Sequence, residues 1–391
     1  MLRICLPGGA RVSTSPVDLS AGKAAAPADL HKVHDFCLKV VGDLAAAMSG
    51  PLLYLGDREG LFKTIASQGP MTVAELAKAT GLQERYLREW SAAMVAADYL
   101  SYDPASGKLW LLPERAMVLA NETSPAFVGG MSQMIPDHYR LLPKLRECMH
   151  QGGGVPYSDF SQDTFEGTER LFGPGYANFM TQAWIPAMPE VHRKLQIGAR
   201  VADVGCGRGR ALLELARAFP RSSFVGFDSY PPAVQYANQQ AQAAGLGERL
   251  RFELRASDAL PQTHEFDLIM TCDSLHDMHS PEGTARAVAG ALKADGTWFI
   301  IEPNMADRVE DNINSIGKLF YSVSMLQCMT CSLASGGAGY GAGMGAGNIA
   351  KVTAAAGLKN FSKLPVEHPF NQFFAVAFQP PGAGPAAPGG G

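Results

Sequence analysis

The chain is short of several things at once, and each shortage removes a class of explanation. It has no excess of basic residues: 33 Lys and Arg against 37 Asp and Glu give a net charge of −4, with only 18% of the 391 residues charged. Neutralising phosphates takes a basic face, so the composition does not point to nucleic acid or to an anionic membrane surface. No unbroken apolar run approaches the about 20 residues that span a bilayer, so no membrane partner is expected. Residues 1–27 lack the continuous apolar stretch of a secretory signal. With Arg3, Arg11 and no acid before Asp18, they still suit an organelle-targeting segment, an unstructured extension being the plainer reading. Cysteine is sparse and odd in number, seven in all. Scattered thiols of that kind are no disulfide framework, and a reducing compartment such as the cytoplasm fits them. No His/carboxylate cluster shows ligand spacing, so no metal is expected.

What is present divides the chain. Residues 1–27 and 380–391 are dominated by Ala, Pro and Gly and read as disordered tails. Residues 28–115 carry helical periodicity followed by a hairpin. Thr72-Val-Ala-Glu-Leu-Ala-Lys-Ala-Thr-Gly predicts a capped helix, with Thr72 at the N-cap, Glu75 closing the capping box and Gly81 as the stop. Gln83 to Ala97 forms the next helix, and Asp103-Pro-Ala-Ser-Gly turns a hairpin between Tyr99–Tyr102 and Lys108–Leu112. Helix-turn-helix plus wing is the predicted architecture. Arg85 and Arg88 on the second helix are balanced by Glu84 and Glu89, which favours dimerisation and pocket-wall roles over DNA binding. Residues 116–195 read as a helical linker and substrate lid, interrupted at Gly152-Gly-Gly-Val-Pro-Tyr-Ser-Asp, where three glycines before a proline end any helix.

Residues 196–379 hold the chemistry. Val201-Ala-Asp-Val-Gly-Cys-Gly-Arg-Gly-Arg is a short strand, a glycine turn and the start of a helix, which brings bare backbone to a ligand at a helix N-terminus. Asp228 ends the next strand 25 residues after Asp203, placed to accept both hydroxyls of a ribose, with Ser229 beside it. Arg210 stands where a dinucleotide site would want its third glycine. Asp203 sits where a carboxylate meets an ammonium group rather than a pyrophosphate. A third strand leads to Ser257 and Asp258, a fourth to Cys272-Asp-Ser-Leu-His-Asp277, and a fifth ends at Glu302. An apolar segment from Phe370 to Phe378 reads as the last strand.

This ordered series resembles the S-adenosylmethionine-binding domain of class I methyltransferases. Gln83-Glu-Arg-Tyr-Leu-Arg-Glu-Trp, the Gly152 loop, Glu310-Asp-Asn-Ile and Ser324-Met-Leu-Gln-Cys-Met-Thr-Cys-Ser-Leu narrow it to members with an Rv2258c-like winged-helix domain, over about residues 33–379. The resemblance implies an α/β fold, a seven-stranded Rossmann-like sheet behind a mostly helical winged-helix domain, S-adenosylmethionine as cofactor, and a homodimer. It assigns Asp203, Gly205, Cys206 and Gly207 to the cofactor turn, Asp228 and Ser229 to the ribose, Ser257 and Asp258 to the adenine, and Cys272 and Tyr157 to further cofactor contacts. More distantly, Leu275-His276-Asp277 resembles the segment of plant-type O-methyltransferases whose histidine is the base. Glu302 matches the acid that orients it, and Asp273 is a second candidate for that task. A second acid about 60 residues further on is missing, where the chain reads Gly336-Gly-Ala-Gly-Tyr-Gly-Ala-Gly-Met-Gly-Ala-Gly.

Methyl transfer from a sulfonium needs a nucleophile in line and about 3 Å from the methyl carbon, and a hydroxyl acceptor must lose its proton. An imidazole suits that task near neutral pH. The sequence therefore predicts methylation of a small molecule, at oxygen with His276 as base. A thiol or thioether acceptor is the alternative, with which the Met-rich stretch Met325, Met329 and Met344 is compatible, although Met is also ordinary core filling. A DNA-binding regulator with a non-catalytic sensor domain is the alternative of another class. Cys328 and Cys331 read as core cysteines sharing one face of an apolar helix from Ile316 to Leu333, and His279 as a surface residue. The glycine-rich loop 336–347 reads as a flap over the acceptor, with Tyr340 and Met344 as contacts.

Overall fold

A computed structural model of the chain describes residues 28–378, so the two tails and the suggested targeting segment lie outside the described residues. The chain forms two compact units, which divide between Met48 and Ser49. The first unit, as far as it is described, is the opening part of helix α1 (Leu30–Arg58). Here Leu30, Val33, Phe36, Val41 and Leu44 are all more than half exposed, and Lys39 pairs with Asp43 one turn on. Contrary to the expectation from the sequence, α1 is long and apolar enough to cross a bilayer by length and composition. Ala, Gly, Ser and Pro dilute its charges without making a continuous aliphatic run. Core helices and leader sequences meet the same criterion, so the helix by itself assigns no membrane role.

The second unit begins with the winged helix. Helices α2 (Leu61–Gln68), α3 (Val73–Thr80) and α4 (Glu84–Ala96) precede the hairpin β1 (Ser101–Asp103) and β2 (Lys108–Trp110). The capping box of α3 is formed as expected, and Gly81 ends the helix at a left-handed φ of 73°. Leu61, Phe62, Ile65, Leu76, Leu87, Trp90, Met94, Leu100 and Leu109 make its core. Arg85 and Arg88 are each paired within α4, to Glu89 and Glu84 at 2.6 Å.

The mixed sheet consists of β3 (Arg200–Val204), β4 (Ser223–Asp228), β5 (Leu250–Leu254), β6 (Phe266–Cys272), β7 (Leu292–Pro303), β8 (Asn360–Lys363) and β9 (Asn371–Ala377). Its order is β5-β4-β3-β6-β7-β9-β8, with β9 antiparallel to both neighbours. The inner strands are buried on both faces and therefore apolar nearly throughout. Val201, Phe224, Leu268 and Phe299 belong to the core on one face, and Val204, Val225, Trp298 and Ile300 to the core on the other. The chain leaves β3 for β4 and β5 on one side and returns to β6 on the other. That reversal opens a crevice at the carboxyl ends of β3 and β6, where ligands of open α/β sheets bind.

Between the winged helix and the sheet, helices Gly129–Arg140 and Gln162–Gly175 pack closely: a Cβ on Gly130 would meet the carbonyl oxygen of Gly167 at 2.4 Å. The second runs into a π-helical segment, Tyr176–Trp184. The Gly152 loop docks on helix Met329–Ala334: the Val155 N–H donates to Thr330 Oγ1 at 2.8 Å, and a Cβ on Gly154 would lie 1.9 Å from the Thr330 carbonyl oxygen. Gly154→Ala is therefore expected to lift the loop off this helix and cost about 1–3 kcal/mol, read as a lower melting temperature in calorimetry.

Candidate active site

A cavity of about 670 Å³ opens at the strand reversal. Its floor comes from the strand ends: Asp203, Gly205, Cys206 and Gly207 after β3, Asp228, Ser229 and Tyr230 after β4, Ser257 and Asp258 after β5, and Cys272 and Asp273 after β6. Every residue assigned to the cofactor from the sequence, Tyr157 included, borders this one cavity.

The glycine turn has three different jobs. Gly205, Gly207 and Gly209 have φ of 73°, 52° and 80°, the left-handed region that glycine enters without penalty. Around Gly205 and Gly209 a side chain would strike Ser274 and Phe252, whereas nothing lies within 4 Å of the Cβ direction at Gly207. Gly207 is the position that leaves room for a ligand. The turn is tied to β4 by the Gly205 N–H on the Phe227 carbonyl at 2.8 Å and by the Gly207 N–H on Asp228 Oδ2 at 2.8 Å. Asp228 Oδ1 accepts from the Tyr230 N–H at 2.9 Å. Burial raises the Asp228 carboxyl above its ordinary range despite these donors.

Asp203 is only 1% exposed, and its Oδ1 has no hydrogen-bond partner. Burial first, and the nearby Asp228 carboxylate second, push its pKa up to about 7. An orphaned buried carboxylate facing a cavity is complementary to a cationic donor, and an ammonium group supplies both the charge and the hydrogen bonds.

Beyond β6 the chain turns through Leu275–Asp277. Glu302, at the end of β7 and 1% exposed, holds this turn with both oxygens. Oε1 accepts from the Leu275 N–H at 3.0 Å, and Oε2 lies 2.6 Å from His276 Nδ1. An ionised carboxylate only accepts, so Nδ1 carries a proton and Nε2 is the nitrogen turned away from Glu302. Asp277 Oδ1 is 3.1 Å from that Nε2. Burial opposes charge on His276, but the carboxylates of Glu302 and Asp277 outweigh it and hold the imidazole pKa well above its ordinary value. The acid missing from the glycine-rich region is thus replaced by the neighbouring residue. His276 is 3% exposed and stands behind Asp277, which itself borders the cavity.

Several expectations are corrected here. Asp273 does not orient His276: its Oδ1 accepts from Asn371 Nδ2 at 2.6 Å, and its backbone is left-handed at φ 49°. The loop 336–347 is pinned rather than a flap. Tyr340 donates to Glu282, Met344 is 1% exposed in the sheet core, and the Gly347 N–H caps onto Asp307. None of Met325, Met329 and Met344 borders the cavity. The segment from Ile316 to Leu333 is not a uniform helix, because a π-helical turn occupies Ser324–Cys328. That turn sends Cys328 toward His276 and Asp277 and leaves Cys331 on the cavity wall. His279 is exposed as expected, yet it stands at the cavity rim.

The other wall joins Tyr157 to residues that carry no motif. Tyr157, Phe165 and Tyr230 form an aromatic cluster with ring centroids 4.8–5.8 Å apart. Phe172 and Tyr176 continue it. Arg208 lies over the Tyr236 ring at 3.5 Å and pairs with Glu169. Apart from Tyr157, the signal that could have found these was the clustering of aromatics on either side of the Gly152 loop.

Comparison with known proteins agrees with this architecture. Residues 195–338 match the family described as Methyltransferase domain, and residues 47–121 the Rv2258c-like winged HTH domain. The chain is 28% identical to the 27-O-demethylrifamycin SV methyltransferase of Amycolatopsis mediterranei over 32% of its own length and 48% of that enzyme's. It is 24% identical to the mitomycin biosynthesis 6-O-methyltransferase of Streptomyces lavendulae, over 62% and 70%. Relatives at 28–35% identity are matched over only 22–48% of their length. The structure of human N-acetylserotonin methyltransferase in complex with SAM superposes with a TM-score of 0.66 at 18% identity, covering 91% of this chain and 100% of that one. The chain thus combines a class I methyltransferase domain with an Rv2258c-like winged helix-turn-helix domain.

Asp203 yields a signed expectation. Its raised pKa keeps a proton on the empty site below about pH 7, and an ammonium group binds only the ionised form. Affinity for S-adenosylmethionine, measured by titration calorimetry, should therefore strengthen about tenfold from pH 6 to pH 8. Asp203→Asn should weaken binding and flatten that dependence.

Proposed function

We propose that this chain is an S-adenosylmethionine-dependent methyltransferase that methylates a hydroxyl oxygen of a small molecule. The observation that carries the reading is that one cavity is bordered both by an orphaned buried carboxylate at Asp203 and by Asp277, behind which His276 and Glu302 are paired. The first suits the ammonium of the cofactor. The second suits removal of a proton from an acceptor hydroxyl.

The division of labour follows from position. Gly207 leaves space for the cofactor at the turn, with Asp228 and Asp258 on the wall beyond it. When bound, the cofactor supplies an activated methyl group. The aromatic wall of Tyr157, Phe165, Phe172 and Tyr176 excludes water and fits a flat apolar acceptor. The acceptor proton leaves toward Asp277 at the cavity surface and is taken up at His276 Nε2 behind it. Glu302 fixes the tautomer and stabilises the imidazolium. The relatives named above act on oxygen, which favours oxygen over sulfur. Because Arg85 and Arg88 are neutralised within their own helix, a DNA-binding regulator is the poorer reading.

A homodimer is part of the same proposal. The exposed apolar residues of the first unit, Leu30 to Leu44, suit burial against a second copy.

Three measurements test these readings. With labelled cofactor and a panel of phenols and hydroxy acids, His276→Ala should lower kcat by about 10²–10⁴-fold while cofactor affinity stays unchanged. The rising limb of the wild-type pH–rate profile should lie above the ordinary imidazole range, since the base is active only once the elevated pKa is passed. Glu302→Gln should move that limb to lower pH and reduce the plateau. By sedimentation, the wild type should run as a dimer and the Val41→Asp, Leu44→Asp double variant as a monomer.

A further inference from the structure

The atoms around His276 do more than form an ion pair. His276 Nε2, one Asp277 carboxylate oxygen and Cys328 Sγ all lie within 4.8 Å of one another. They come from the turn after β6 and from the π-helical turn at Ser324–Cys328, and π turns recur at functional sites because they re-aim one side chain. We propose that these three residues form a binding site for a divalent transition metal of borderline softness, of which Zn²⁺ is the reference case.

Two independent features support the assignment. The donor set is imidazole, carboxylate and thiolate, the mixture that zinc takes and that calcium or magnesium does not. The far nitrogen of the imidazole, Nδ1, is held at 2.6 Å by the buried Glu302 carboxylate. That carboxylate–histidine pairing is the arrangement that orients metal-ligating histidines with Nε2 outward. Three protein ligands leave a fourth position, and Asp277 borders the cavity, so an acceptor oxygen, an acceptor sulfur or water can fill it.

The inference goes beyond the methyl-transfer reading and does not depend on it. A metal and a proton compete for the same lone pair on Nε2, so occupancy and the proton-accepting role are alternative states of one site. In the occupied state a bound hydroxyl or thiol would be acidified by the metal instead.

The test uses the full chain, stripped with a chelator and titrated with Co²⁺ and with Zn²⁺. One equivalent of Co²⁺ should bind with a thiolate-to-cobalt charge-transfer band in the near ultraviolet, and Zn²⁺ should displace it. Cys328→Ser should abolish the band, Asp277→Asn should weaken binding at least tenfold, and Glu302→Gln should weaken it about 10–100-fold. Cys331→Ser, which lies outside the triangle, should leave the band intact. S-adenosylmethionine titration of each variant reports that the fold persists and does not involve the metal. Absence of stoichiometric binding, or a band that survives Cys328→Ser and Asp277→Asn, overturns the site. Failure to find a methyl acceptor would leave these readouts untouched.

Discussion

The structure of the reactive end hangs on one buried carboxylate. Glu302 is almost fully shielded from water, and ionised carboxylates are costly to bury unless their oxygens are occupied. Both are occupied: one fixes the backbone of the turn after β6 and the other fixes the imidazole on that turn. This contact, with the Asp273 N–H on the Ile301 carbonyl at 2.9 Å, ties the turn to the end of β7. The same contact determines which imidazole nitrogen is free, how basic it is, and where the neighbouring aspartate must stand.

The cofactor end obeys the opposite logic. Asp203 is buried with an oxygen left over, and Asp273 has another. The empty site is therefore electrostatically unfavourable, with desolvated acids crowded at the ends of β3 and β6. A cationic ligand relieves that condition. Affinity here comes from a charge the protein keeps poorly solvated as much as from contacts the ligand adds.

Much of this was legible in the sequence, for identifiable reasons. The turn after β3, the acid ending β4 and the His/Glu pair are each set by a strand end. Strand ends are local in sequence, and the sheet order brings them together. The capping box at Thr72 was readable for the same reason, since its partners are three residues apart. What escaped depends on helix irregularity and on packing between distant segments. Helical spacing puts Cys328 and Cys331 on one face, but it does not show that Cys328, at the end of a π turn, meets the turn after β6. Loop 336–347 looks free because it is rich in glycine, yet several of those glycines admit close neighbours, such as Asp307 against Gly345 and Gly347. Asp277 was overlooked because an acid next to a histidine has no obvious reason to turn back onto it.

The docking of the Gly152 loop on Thr330 has a mechanical consequence. Thr330 lies two residues beyond Cys328, on the same rod of helix that the π turn interrupts. Tyr157, three residues past Gly154, belongs to the cavity wall. The mouth of the cavity and the sulfur beside His276 are thus carried by two segments that meet where a glycine lies against a carbonyl.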